Sequence, residues 1–427
     1  MYISFRNSPV EESRPSARRR GVRTVSSTVV TLGVVSLLTD ISSESVAAVL
    51  PLYVTGYLGL SMIAFGVLDG LYQGVSAFVR IAGGHLSDRV DQPKWVAFGG
   101  YALAAVARVG LLVASGFAAI SAVVTLDRIG KGIRTAPRDA LITAASDPRR
   151  LAASFGVHRM LDNVGAALGP LIAFVILLVI PDGFHTVFVA SLAFAVIGVV
   201  LLGLVVPNLR TRAHTARRVA VGDPAPQRTP FDWAVVWRRP MRRLLAAAGI
   251  LGLVTIGDGF VYLVLQARGD FAAQWFPLLY VGTNLAFLAF AIPLGRLADR
   301  VGRARVFVFG HLGLLAPYVV ATLAIDDIAA TLLCLVFLGA FYAATDGVLA
   351  ALAAQLTTPQ TRGTGIAAAQ TVVAVSRFGA AAAFGVLWYA VGRELSLMVV
   401  AVLLVVAIPV AALLLRPLMV PSAVESV

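Results

Sequence analysis

Asp40 and Glu44 stand four residues apart in an otherwise apolar run, a spacing that puts both carboxylates on one face of a helix. Two such acids cannot both stay ionised cheaply in a low-dielectric setting, so one is expected to hold a proton and carry it. A structural ion pair to arginines on other helices would be written with the same residues. The segment 127–139, DRIGKGIRTAPRD, concentrates Asp127, Arg128, Lys131 and Arg134. Its three bases fall at helical spacing, which suits either an anionic cargo or a packing network with Asp127, Asp139 and Asp162, while Arg138 is placed to snorkel toward headgroups. It contains Gly-Lys without the full phosphate-binding loop, so nucleotide hydrolysis is not expected. His158, Arg159 and Asp162 follow, with His158 read first as a hydrogen-bonded structural residue. Further along, Asp258 lies between Gly257 and Gly259, where a weakened helix would expose backbone to a cavity, and Asp346 and Arg377 are spaced to pair across two helices. Asp69 is another acid in an apolar run, and Phe260, Tyr262, Trp275 and Tyr280 are candidate aromatic wall or packing residues.

The elements that hold these groups must be apolar. Of 427 residues, 59% are hydrophobic and 13% are charged, where a soluble globular chain carries about 25% charged residues. A water-soluble enzyme is therefore excluded. A membrane-crossing helix takes about 20 apolar residues. Twelve candidate spans are legible, at 25–56, 62–86, 95–115, 118–140, 152–180, 184–206, 245–266, 272–295, 304–324, 328–356, 364–390 and 396–415. The runs are continuous and rich in Ala, Gly and Leu, which argues for helices over the alternation of a β-barrel. The first run is too long and too charged for a cleaved signal and is expected to be retained. Each ionisable group inside these spans costs about 2.5 to 3.5 kcal/mol to insert, so each calls for a partner or a function.

The excess charge of +13 has a topological source. Six arginines crowd the first 24 residues and nine more lie between Arg210 and Arg243, whereas the opposite-side turns offer only Arg268 and Arg393 as bases. Both termini and the central connector are accordingly expected on the cytoplasmic side of the membrane. Anionic lipid becomes the expected partner of this charge and nucleic acid an unnecessary one. The expected division is a tail at 1–24, a six-helix bundle at 25–206, a hydrophilic linker at 207–243, a second bundle at 244–416 and a tail at 417–427.

The halves repeat. Gly84-His85-Leu86-Ser87-Asp88-Arg89-Val90 and Gly295-Arg296-Leu297-Ala298-Asp299-Arg300-Val301 share a pattern 211 residues apart, and Pro148 and Pro359 share the same offset. Two parallel six-helix units related by an axis along the membrane normal enclose a central cavity. On these motifs the chain resembles the major facilitator superfamily over essentially its whole length. The resemblance implies an all-α membrane protein of twelve transmembrane helices in two parallel six-helix bundles. It also implies a conformational latch at Gly84, Asp88, Arg89, Gly295, Asp299, Arg300 and Arg303, where the glycines let helices approach and the acids accept hydrogen bonds. The second copy keeps Gly302, Arg303 and Arg305; the first departs at Asp91 and Gln92. Arg128, Lys131 and Gly132 fit a fourth-span pattern linked in relatives to proton coupling. Gly165, Gly169 and Pro170 are similar to a fifth-span signature of exporters running as antiporters, with Ala173 at the usual final glycine.

The function so implied is secondary active transport, with small molecules exported by alternating access against protons. Asp40, Glu44, Asp127 and Arg128 are the coupling candidates. Cavity or substrate candidates are Asp69, Lys131, Arg134, His158, Arg159, Asp162, Asp258, Asp346 and Arg377, and Gly165, Gly169 and Pro170 are packing residues. Proton-coupled import and lipid movement are the alternatives. A membrane enzyme is a further one, although the five histidines form no metal-binding spacing and the single Cys334 excludes a cysteine cluster. No enzymatic activity, cofactor or metal is expected, and a single chain holding both halves is expected to operate as a monomer.

Overall fold

A computed structural model describes residues 25–147, 150–209, 233–358 and 361–419, without the side chains of 81–89. Both expected tails in large part, most of the linker, Pro148, Pro359 and the side chains of Gly84-Asp88-Arg89 lie outside the described residues. The first half comprises α1 (Ser27–Leu52), prolonged by a wider π turn at Tyr53–Tyr57, α2 (Met62–Val90), α3 (Pro93–Val113), α4 (Gly116–Ala144), α5 (Leu151–Val179) and α6 (Phe184–Val205). The second comprises α7a (Arg239–Leu253), α7b (Asp258–Gly269), α8 (Phe276–Val301), α9 (Arg303–Val320), α10 (Asp327–Gln355), α11 (Arg362–Val391) and α12 (Arg393–Met419). Ten spans among the described residues are long and apolar enough to cross a bilayer, counting α7a and α7b as one. The charged α4 and the short α9 complete the twelve-helix fold.

Helix α7 is interrupted where the paired glycines predict it. Thr255 turns its hydroxyl back onto the Leu251 carbonyl at 2.8 Å, and Gly257 is extended at φ −67° and ψ 147°. The backbone N–H of Ile256, left without a helical acceptor, donates to the Tyr318 hydroxyl at 3.0 Å. That replacement bond lets a break persist in a setting where an unsatisfied amide is costly. Helix begins within the residues expected as linker. A short helix forms at Trp233–Trp237, and Arg239, Arg242 and Arg243 occupy the first turns of α7a. Pro240 sits in the opening turn of α7a, where its missing N–H is harmless and its fixed φ favours a helix start.

The internal repeat governs packing. Helix α1 packs on α5 and α6, α2 on α4, and α3 on α4 and α6; α7a on α11 and α12, α8 on α10, and α9 on α10 and α12 repeat the scheme. The halves meet along two seams, α2 with α11 and α5 with α8. At the first seam Gly66 faces the Ala381 carbonyl and the Gly385 backbone so closely that an added Cβ would lie 2.5 Å from that carbonyl oxygen. Small residues here let two backbones touch, the usual means of joining helices in lipid. At the second seam Phe174 meets Trp275 with ring centroids 5.3 Å apart. Both contacts lie toward the end that carries the turns 58–61 and 270–275.

Candidate functional site

Two adjoining cavities of ≈ 200 and ≈ 230 Å³ lie between the halves and share Glu44, Asp258 and Tyr280 in their walls. The first adds Phe65, Asp69, Tyr72 and Gln73; the second adds Tyr262, Thr283, Asn284, Tyr342 and Asp346. The walls follow from helical spacing. Asp69, Tyr72 and Gln73 fall at i, i+3 and i+4 on α2, and Tyr342 and Asp346 fall at i and i+4 on α10. The break in α7 places Asp258 in the first turn of α7b, where its carboxylate accepts a 2.7 Å hydrogen bond from the Tyr342 hydroxyl. Asp69 packs against Gly257 across the interface, and its Oδ2 is buried without a hydrogen-bond partner. Tyr262 donates to Thr283 at 2.6 Å and meets Tyr280 edge-on with centroids 4.7 Å apart, which fixes the aromatic side of the cavity.

Asp40 and Glu44, although on one helical face, serve different surroundings. Glu44 opens into both cavities. Asp40 turns instead to Arg134, at 3.8 Å, and faces Asp162 of α5. The bases expected as a stripe on α4 are likewise divided among separate partners. Arg128 pairs with its neighbour Asp127 and lies over the Tyr72 ring at 3.8 Å from its centroid. Arg108 of α3, which sequence spacing did not mark as a site residue, closes on the same Asp127 at 2.9 Å and donates to Ser42 and Ser43 of α1. Arg134 stacks over Tyr101 at 4.5 Å. Lys131 is half-buried on the same helix.

Arg138 does not snorkel. It reaches inward to Asp139 at 3.1 Å, Asp162 at 3.8 Å and the Ser36 hydroxyl at 3.3 Å, acceptors on three elements. His158 is buried, with Nε2 3.5 Å from Ser36 and Nδ1 without a partner, whereas Arg159 is exposed. Gly165 and Gly169 admit α1 into contact: a Cβ on Gly165 would meet the Leu37 backbone, and one on Gly169 the Ser45 amide at 2.8 Å. Pro170 lines the second cavity.

Two expectations need correction. Asp346 and Arg377 do not form an ion pair within 4.0 Å; they share a separate space of ≈ 30 Å³, and Arg377 instead lies over the Tyr342 ring at 5.6 Å. Its Nε has no hydrogen-bond partner. Gly295 does not mediate close approach, since nothing stands within 4 Å of the place its Cβ would take. Asp299 accepts from Arg303 at 2.9 Å, an exposed bond within one turn, and Arg300 is exposed. Of the four candidate aromatics, Tyr262 and Tyr280 line the cavity, and the other two take the packing role. Phe260 is wholly buried between Phe65 and Phe384, and Trp275 belongs to the α5–α8 seam.

A duplicated helical bundle around an inter-half cavity is accompanied by a direct sequence match. The family model described as Major Facilitator Superfamily covers residues 32–282 and 268–426. The chain belongs to the major facilitator superfamily. It is a multi-pass membrane transporter of that family. An uncharacterized MFS-type transporter of Methanocaldococcus jannaschii is 27% identical over 390 residues, covering 89% of this chain and 93% of the relative. An uncharacterized protein of Mycobacterium tuberculosis is 27% identical over 67% of this chain and 69% of its own length. Among solved structures, the nucleoside transporter NupG superposes with a TM-score of 0.75 at 14% identity, covering 91% of this chain and 99% of that one. A bacterial homologue of the human lysosomal transporter Spinster, in an inward-facing and unoccupied conformation, gives 0.71 at 15% identity, covering 92% and 97%. At such identities the structures share the fold.

Proposed function

We propose that the protein is a proton-coupled exporter of small molecules that works by alternating access. The observation that carries this reading is the inter-half cavity, into which Glu44 projects from a helix bound to the buried charge network through Asp40. Cargo occupies the cavity. Protonation and cargo compete for its carboxylates, so release of one favours capture of the other and antiport follows without covalent chemistry. The fifth-span glycines let α5 ride closely on α1, and the seams let the halves rock about the cavity. By arginine distribution both termini face the cytoplasm, so the end closed by Gly66, Gly385 and Trp275 faces outward and the described arrangement is closed to the exterior.

The paired arginines of the first half hold its helices together, leaving Glu44, Asp69, Asp258 and Asp346 as the ionisable cavity wall. The expected domain division, the bacterial plasma membrane and monomeric operation complete the proposal, with anionic lipid contacting the basic face. Everted vesicles carrying the protein should accumulate cargo when acidified inside, and a compound panel screened against a deletion strain would supply candidates. An Asp40→Asn, Glu44→Gln double variant should lose gradient-driven accumulation while retaining exchange. Unchanged accumulation would remove both acids from coupling.

A further inference from the structure

The cavity has a sign. Four carboxylates, Glu44, Asp69, Asp258 and Asp346, contribute to its two lobes, and among the described residues no lysine or arginine lines either lobe. Of the bases near it, Arg108 and Arg128 hold Asp127 and Arg134 faces Asp40, while Arg377 lies outside both lobes, behind Asp346, with its Nε unpartnered. Polar capacity is also left over, since Asp69 Oδ2 is buried in the wall with no hydrogen-bond partner. The remaining wall is aromatic, with Tyr72, Tyr262, Tyr280 and Tyr342 presenting rings beside the acids.

We propose that the cargo is an organic cation, an amine or quaternary nitrogen on an apolar or aromatic body. This rests on the reading of the cavity as the cargo site and names the chemical class it takes. Carboxylates supply the counter-charge, and ring faces attract a weakly hydrated cation through their quadrupoles. A bare metal ion suits the wall poorly, because the acids are spread around it; among the described residues no group of three His, Cys, Asp or Glu could hold one. An anion would meet carboxylates and no lysine or arginine in the described wall of either lobe. The basic motif of α4 thus does not define cargo charge, because none of its bases lines either lobe and Arg128 and Arg134 face Asp127 and Asp40.

The test uses full-length purified protein in detergent, with benzyltrimethylammonium and the larger tetraphenylphosphonium as cations, phenylacetate as anion and benzyl alcohol as neutral probe. Calorimetry should show binding of at least one cation and none of phenylacetate. Asp258→Asn and Glu44→Gln should each weaken that binding about tenfold, the loss of one charge-assisted contact. Asp327→Asn, at the exposed Arg268 pair, should bind as the parent does, and unfolding midpoints check that every variant is folded. Failure of both cations to bind, or binding in both cavity variants as tight as in the parent, overturns the proposal. Proteoliposomes separate the two readings. Movement of phenylacetate or benzyl alcohol without cation movement overturns the cationic assignment and leaves transport standing. Cation binding that depends on Glu44 and Asp258, with no flux under any gradient, supports the cation site and defeats the exporter reading.

Discussion

Arg108 on α3 and Asp127 on α4 meet at 2.9 Å with side chains only 4% and 5% exposed, and Arg128 shares the same carboxylate. Two cations on one anion leave a net positive charge inside the first half. Hydroxyls of Ser42 and Ser43 and the ring of Tyr72 disperse it. The cluster joins α1, α2, α3 and α4, so the charges that sequence presents as chemistry serve cohesion at this point. Glu44, one helical turn from Asp40, remains on the cavity side of this assembly.

Removing the shared anion should be far worse than removing an ordinary surface charge. Asp127→Asn is expected to destabilise the folded protein by about 3 to 5 kcal/mol, because it strands two buried guanidinium groups. Thermal unfolding in detergent measures this. An Arg108→Met, Asp127→Leu double variant should recover part of the loss, and a simple sum of the two single effects would argue against coupling.

At Gly385 the α2–α11 seam should tolerate no side chain. A Cβ on Gly385 would lie 2.5 Å from the Met62 carbonyl oxygen, so Gly385→Val is expected to hold that end open and abolish most transport while leaving the protein folded. Cys334 is the single cysteine in the sequence and is buried, so a probe thiol at Ala47 in the cavity wall reports access cleanly. Faster labelling of Ala47→Cys from the side of the 58–61 turn is the expected signature; unchanged labelling would assign the seam no gating role.

Toward the other end, Arg80 donates to Gln370 Oε1 at 2.7 Å across the halves. A hydrogen bond to a charged donor contributes about 1.5 to 3 kcal/mol. Gln370→Leu should therefore shift the conformational population away from the described arrangement by about tenfold or more. Spin-label distances between α2 and α11 in the parent and the variant read this directly, and identical distributions would contradict it.

Arg268 binds Asp327 at 2.7 Å and the carbonyls of Val320 and Ala321 at 3.3 Å, and it also reaches the Ile325 carbonyl. It gathers the turn between α9 and α10 onto the end of α7b. Arg268→Ala is expected to cost about 1 to 3 kcal/mol through the carbonyls left without a partner. Hydrogen exchange should rise in 321–327 and stay constant in α5; a rise spread over the whole chain would mean the arginine supports more than this turn.

Helix count, membrane character and the duplicated halves were legible in the sequence because each is written locally. An apolar run of sufficient length has few alternatives to a spanning helix, since lipid offers no other partner for backbone polar groups. The break at Gly257 was legible for the same reason, being a property of adjacent residues. What spacing could not state was which charge answers which. Asp40 and Glu44 share a helix face yet diverge, because α4 and α5 bring Arg134 and Asp162 to the first while α2 and α7b leave space beside the second. The pairing of Arg108 with Asp127, the inward turn of Arg138 and the separation of Asp346 from Arg377 depend on helix rotation and approach, which side chains from several distant segments set together. Local sequence therefore determined the helices and the repeat, and tertiary packing alone decided which carboxylates line the cavity and which pair with arginine, since charge in a low-dielectric interior is defined by its neighbours in space.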